Sequence, residues 1–143
     1  MKLILINKRI LYKITISAFL IILILLVGCD DTLNESNIDN IIIPDKNVSY
    51  NEYIQPVLTI KCSTSGCHDD ETRAGNYSVT NWANVVTPGI VNPGDVETSI
   101  LVWRIEGIGV EIMPPIGNLV SKPLNKNQID GIKTWIEEGA KSN

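Results

Sequence analysis

The chain has 143 residues, with 12 Lys/Arg against 16 Asp/Glu and a formal net charge of −4. That length holds one modest domain behind a leader rather than several domains. An acidic balance argues against nucleic acid or anionic lipid as partners and favours a basic protein partner.

Lys2, Lys8, Arg9 and Lys13 give a basic start to an apolar run from Ile14 to Val27. The run falls short of the roughly 20 apolar residues that a spanning helix needs, and its length suits a secretory signal. It ends in Leu26-Val27-Gly28-Cys29, which resembles the lipobox of bacterial lipoproteins. That resemblance implies a signal peptide over 1–28 and acylation of Cys29 as the mature N-terminus. It also implies an extracytoplasmic domain, lipid-anchored to a bacterial membrane on the periplasmic side or at the cell surface. The bland alternative is an uncleaved anchor in which Cys29 is one more apolar residue. Without the signal, eight Lys/Arg face sixteen Asp/Glu, a formal charge of −8.

From Asp30 to Val48 the chain is rich in Asn, Asp and Ser, with one apolar island, Ile41-Ile42-Ile43, before Pro44. It reads as a flexible tether, so 29–48 is expected to carry the acylated end and spacer. The remaining domain, 49–143, is under 100 residues, where a single apolar core is marginal and a buried cofactor would help. There is no internal repeat and no nucleotide-binding glycine loop.

The predicted elements of that domain are all helical. Ser49 and Glu52 fit a capping box, and Tyr50, Tyr53, Ile54, Val57 and Leu58 recur at helical spacing up to Cys62. Pro56 lies inside that pattern and should kink or restart the helix. Thr80 is placed to cap a short turn through Trp82 and Val85. Asn92-Pro93-Gly94-Asp95 is a turn, and Ile100 to Ile105 form a further helix ended by Gly107 and Gly109. Asn125 and Gln128 box the start of the last helix, whose face is Ile129, Ile132, Trp135 and Ile136, and Gly139 stops it.

The chemistry centres on Cys62-Ser63-Thr64-Ser65-Gly66-Cys67-His68, which holds the chain's only histidine. Two thiols followed at once by an imidazole is the arrangement that attaches haem covalently and ligates its iron. With two residues between the cysteines, both sulfurs face one side of a helical turn. Here there are four, and register is kept only if Ser63 to Gly66 bulge outward, which Gly66 and the hydroxyl residues permit. Met113, the only methionine besides Met1, precedes Pro114-Pro115. Proline on both following positions stiffens that loop, which suits a thioether ligand. The bland reading of Met113 is a flexible core plug.

These motifs, in this order, resemble the single-haem class I cytochrome c domains of bacterial lipoproteins. Tyr53 to Leu58, Cys67-His68, Asn92 to Asp95, Met113-Pro114-Pro115 and Trp135 to Ala140 carry the likeness, over roughly Ser49 to Ala140. It implies three to five helices around one covalent haem c. Cys62 and Cys67 would be its thioether attachments, with His68 and Met113 as axial ligands of the haem iron. The four-residue gap is the departure from the pattern, and attachment through Cys67 alone would also fit. The function implied is an electron carrier rather than an enzyme, because both axial positions are filled. A redox protein is the implied partner, and the acidic balance favours a basic one.

Two rival chemistries use the same residues. Cys62 and Cys67 could close a small loop as a disulfide in an oxidising compartment, making a lipid-anchored adaptor module. Zinc could use both thiolates, His68 and a carboxylate from Asp69, Asp70 or Glu71, but lacks a convincing fourth ligand. An enzymatic haem role would need Met113 to be dispensable. Arg104 is expected as partner of a haem propionate or as a solvated arginine, and Trp103 and Trp135 as packing, Trp135 where the terminal helices cross. The Pro56 carbonyl is the expected acceptor for the free ring nitrogen of His68.

Overall fold

The computed structural model describes residues 8–25 and 33–143. They belong to two units divided between Thr32 and Leu33, each described by itself. In the first, Lys8–Leu25 forms helix α1. Among the described residues no helix is long and apolar enough to cross a membrane. Gly28 and Cys29, where cleavage and acylation are expected, lie outside the described residues.

The second unit is built from five short helices: α2 (Glu35–Asp39), α3 (Gln55–Lys61), α4 (Trp82–Val85), α5 (Ile100–Glu106) and α6 (Lys126–Glu137). Among the described residues there is no strand, only an isolated bridge between Asn92 and Asp95. The all-helical expectation therefore holds. Pro56 sits in the first turn of α3, where its missing N–H costs nothing. The chain before it, Tyr50–Ile54, winds as one wider π-helical turn, so the expected single helix is two pieces joined at the proline. Ser49 Oγ accepts the Glu52 amide at 3.2 Å and starts that turn.

Helix α6 begins as expected. Asn125 Oδ1 accepts the Gln128 amide and Gln128 Oε1 accepts the Asn125 amide, both at 3.0 Å. Such a box contributes about 1 kcal/mol. Trp135 is buried against Tyr50, ring centroids 5.3 Å apart, and its indole N–H donates to the Lys141 carbonyl at 2.9 Å. The last helix thereby packs on the Tyr50–Ile54 turn. Trp103 is different. It is half-exposed, and its indole donates to the Glu97 carbonyl at 2.8 Å, so it braces a turn instead of filling the core.

The stretch expected to be a tether is largely part of the folded unit. Ile38, Ile43 and Val48 are buried in the same core as Trp135 and Ile132. Each is held by polar groups of α6 and its C-terminal cap. Gln128 Nε2 donates to the Ile38 carbonyl at 3.2 Å, and Asn127 brackets Ile43 at its N–H (2.8 Å) and carbonyl (3.0 Å). The Glu138 carboxylate accepts the amides of Asn47 and Val48. Composition misled here, because Asn and Asp supply caps and turns as readily as they supply solvated spacers. The folded unit starts at 33, not 49, and 29–32 lie outside the described residues.

Gly131 shows how tight that packing is. It lies inside α6, where glycine costs roughly 0.5–1 kcal/mol relative to alanine. A Cβ there would stand 2.5 Å from Ile43 Cγ2 and 3.0 Å from Ile43 Cβ. Gly131→Ala is therefore expected to destabilise by about 1–3 kcal/mol despite its better helix propensity. Urea unfolding followed by circular dichroism measures this, and a stabilised variant would show that Ile43 does not press on α6.

Candidate cofactor site

Cys62 closes α3, its amide donating to the Leu58 carbonyl at 2.9 Å. The next residues leave the helix and fold back on it. The Cys67 amide donates to the Thr64 carbonyl at 2.9 Å, making a tight turn with Gly66 at φ +86°. The left-handed conformation favours glycine at that position. The His68 amide then returns to the Cys62 carbonyl at 3.0 Å, closing the loop. Ser65 and Gly66 are exposed at its tip. Ser65 and Gly66 thus loop outward, while Ser63 and Thr64 stay half-buried.

Both thiols are free and both line one cavity. Burial, with the neighbouring Cys67 adding to it, pushes the Cys62 thiol up to about 12. It is a protonated, apolar wall group at neutral pH.

His68 lies on the same cavity. Its Nδ1 is 3.2 Å from the Tyr77 carbonyl, so Nδ1–H donates there and Nε2 keeps its lone pair. Fixing one ring nitrogen on a backbone carbonyl is how proteins orient a histidine ligand. The acceptor is thus Tyr77, not Pro56. Tyr77 is itself held by its hydroxyl, which donates to the Val85 carbonyl at 3.2 Å, and its ring meets that of His68 edge-on at 5.7 Å. Burial raises the pKa of this hydroxyl.

Met113 reaches the cavity from a separate loop after α5. Its amide donates to the Arg104 carbonyl at 2.7 Å, while Arg104 Nη1 lies 3.4 Å from the Glu111 carbonyl. Pro114, Pro115 and Asn118 continue the wall, and Ile100, Leu101 and Ile105 of α5 line another part. The cavity measures about 430 Å³ and is mostly apolar, within the roughly 300–1,000 Å³ of small-molecule and cofactor sites. Cys62, Cys67, His68, Met113 and Arg104 are all brought together around it. A flat, largely apolar macrocycle with carboxylate arms fits this set of residues: apolar walls, two free thiols, an oriented imidazole, a thioether and one guanidinium.

The zinc alternative finds no such support. Among the described residues no three of His, Cys, Asp and Glu group as a metal site. Asp69 Oδ1 accepts the amides of Glu71 (2.8 Å) and Thr72 (2.7 Å). Asp70 Oδ1 accepts the hydroxyls of Ser78 and Thr80 at 2.8 Å each. These bonds lower both carboxyl pKa values, and they tie the segment after His68 to residues 78–80. Thr80 is engaged there, and Asn81 caps α4 in its place, its Oδ1 accepting the Asn84 amide at 3.0 Å.

Sequence reasoning missed Lys61. It lines the cavity with its side chain fully buried, pairing with Glu35 and Asp39 of α2 at 2.8 Å each. A signal was present: Val57, Leu58 and Lys61 fall on one helical face, so the lysine had to be inside.

The chain matches no protein-family model, no curated protein and no solved structure.

The raised Cys62 thiol has a direct consequence. In cofactor-free protein at pH 8, iodoacetamide should alkylate Cys62 at least about a hundredfold more slowly folded than unfolded in urea, since only the thiolate reacts. Peptide mass spectrometry follows it, and equal rates would contradict the raised thiol pKa.

Proposed function

We propose that residues 33–143 form a small class I cytochrome c domain that carries single electrons, tethered to a membrane through an acylated Cys29. The observation that supports this most strongly is the convergence of Cys62, Cys67, His68 and Met113 on one apolar cavity. Nothing in the sequence spacing required Met113 to meet the cysteine loop, because α4 and α5 intervene.

Cys62 and Cys67 would hold the haem covalently, and His68 and Met113 would ligate its iron. Bound there, the haem would supply one-electron redox chemistry, and a thioether ligand would favour a high reduction potential. The residues have distinct tasks. Tyr77, through its carbonyl, keeps His68 in the tautomer that presents Nε2. Pro114 and Pro115 limit the motion of the Met113 thioether. Ile100, Leu101 and Ile105 of α5 supply apolar wall. Arg104 is the cationic group available to a carboxylate arm, a pairing worth more in a dry site than in solvent. An imidazole and a thioether would both be available to the iron, so carrying electrons would suit this residue set better than catalysis.

The test is expression with c-type haem maturation machinery, followed by a denaturing gel stained for haem. Wild type should keep its haem through denaturation, and Cys62→Ala/Cys67→Ala should lose it. Met113→Ala should keep covalent haem but lose the thioether charge-transfer band and bind external imidazole more tightly. Colourless wild type with a Cys62–Cys67 disulfide would support the adaptor module and overturn this function.

A further inference from the structure

The loop from Gly107 to Leu124 carries Met113 without a helix of its own, so something must hold its far end. The ties found there converge on the last residue of α3. Ser121, itself buried, donates its hydroxyl to the Lys61 carbonyl at 3.0 Å. The Lys122 amide donates to Glu35 Oε1 at 2.7 Å, and the same oxygen accepts Lys61 Nζ at 2.8 Å. Lys61 also pairs with Asp39 Oδ1 at 2.8 Å. The Glu35 carboxylate, held by the Lys61 ammonium, therefore ties the loop beyond Met113 to the end of α3 next to Cys62.

A lysine is an expensive way to fill this wall. Stripping an ammonium of water costs several kcal/mol unless charge and hydrogen bonds replace it, and a leucine or methionine would pack the same space without that cost. Two carboxylates replace the water here, one of which also grips the loop backbone. What the ion pair adds over an apolar side chain is a fixed connection between two segments that both reach the cavity.

We infer that the Lys61–Glu35 pair is a positioning device for Met113, clamping the far end of its loop to the helix that carries Cys62. The inference deepens the function proposed above and rests on it for the role of the thioether. The clamp itself is a property of the chain. Asp39 supplies the internal control: it shares the lysine but has no bond to the Met113 loop.

Two readouts test it. In cofactor-free protein, hydrogen exchange of the amides of 116–122 should quicken about tenfold in Glu35→Ala over both wild type and Asp39→Asn, the scale of losing one charge-assisted hydrogen bond. Exchange in α6 should stay unchanged. In haem-loaded protein, Glu35→Ala and Lys61→Met should weaken the thioether band and bind external imidazole more tightly, while Asp39→Asn keeps the wild-type spectrum. Loop exchange identical in Glu35→Ala and wild type would overturn the clamp, as would a full-strength thioether band in both Glu35→Ala and Lys61→Met. A wild type that takes up no haem overturns the proposed function instead, and the exchange comparison alone then decides whether the clamp exists.

Discussion

An apolar cavity in a domain this small is the constraint around which the structure is arranged. The cavity is about 430 Å³, mostly apolar and open to solvent. Water gains little against such walls, and an apolar occupant that covered them would add stability. The chemistry-bearing residues of the sequence gather on this surface.

The residues that hold the cavity open come from distant parts of the chain. Its walls come from the end of α3, the cysteine loop, residues 74–79, α5 and the Met113 loop. Few of these segments are regular, so their positions depend on specific hydrogen bonds: His68 to Cys62, His68 to Tyr77, Met113 to Arg104, Ser121 to Lys61. Such bonds are each worth about 1 kcal/mol net, and the loops are correspondingly easy to displace. The N-terminal segment compensates. By packing Ile38, Ile43 and Val48 onto α6 and sending Glu35 and Asp39 to Lys61, it adds both core and cross-link.

Much of this was legible in the sequence, for identifiable reasons. Helices with strong end signals read correctly: the Asn125/Gln128 box, the Gly107 cap and the Pro56 break are local effects that tertiary contacts had no cause to override. The exposed turn at Ser65 and Gly66 was foreshadowed by the glycine and the hydroxyl residues there. The packed segment 33–48 was not legible, because its backbone groups at Ile38 and Val48 bond to side chains of α6 and its C-terminal cap about 90 positions away. Composition alone cannot distinguish such partners from water. Lys61 was overlooked for a related reason: its helical position marks it as buried, while its charge marks it as exposed, and only the carboxylates of α2 reconcile the two. The acceptor for His68 is a backbone carbonyl, which no residue type announces.

The most direct measurement is X-ray absorption at the iron edge of the haem-loaded protein, which counts the sulfur atoms bound to the metal. A single sulfur among nitrogen neighbours is the expected result, lost in Met113→Ala. A first coordination sphere without sulfur in the wild type would contradict thioether ligation, and with it the assignment of this domain as a His/Met electron carrier.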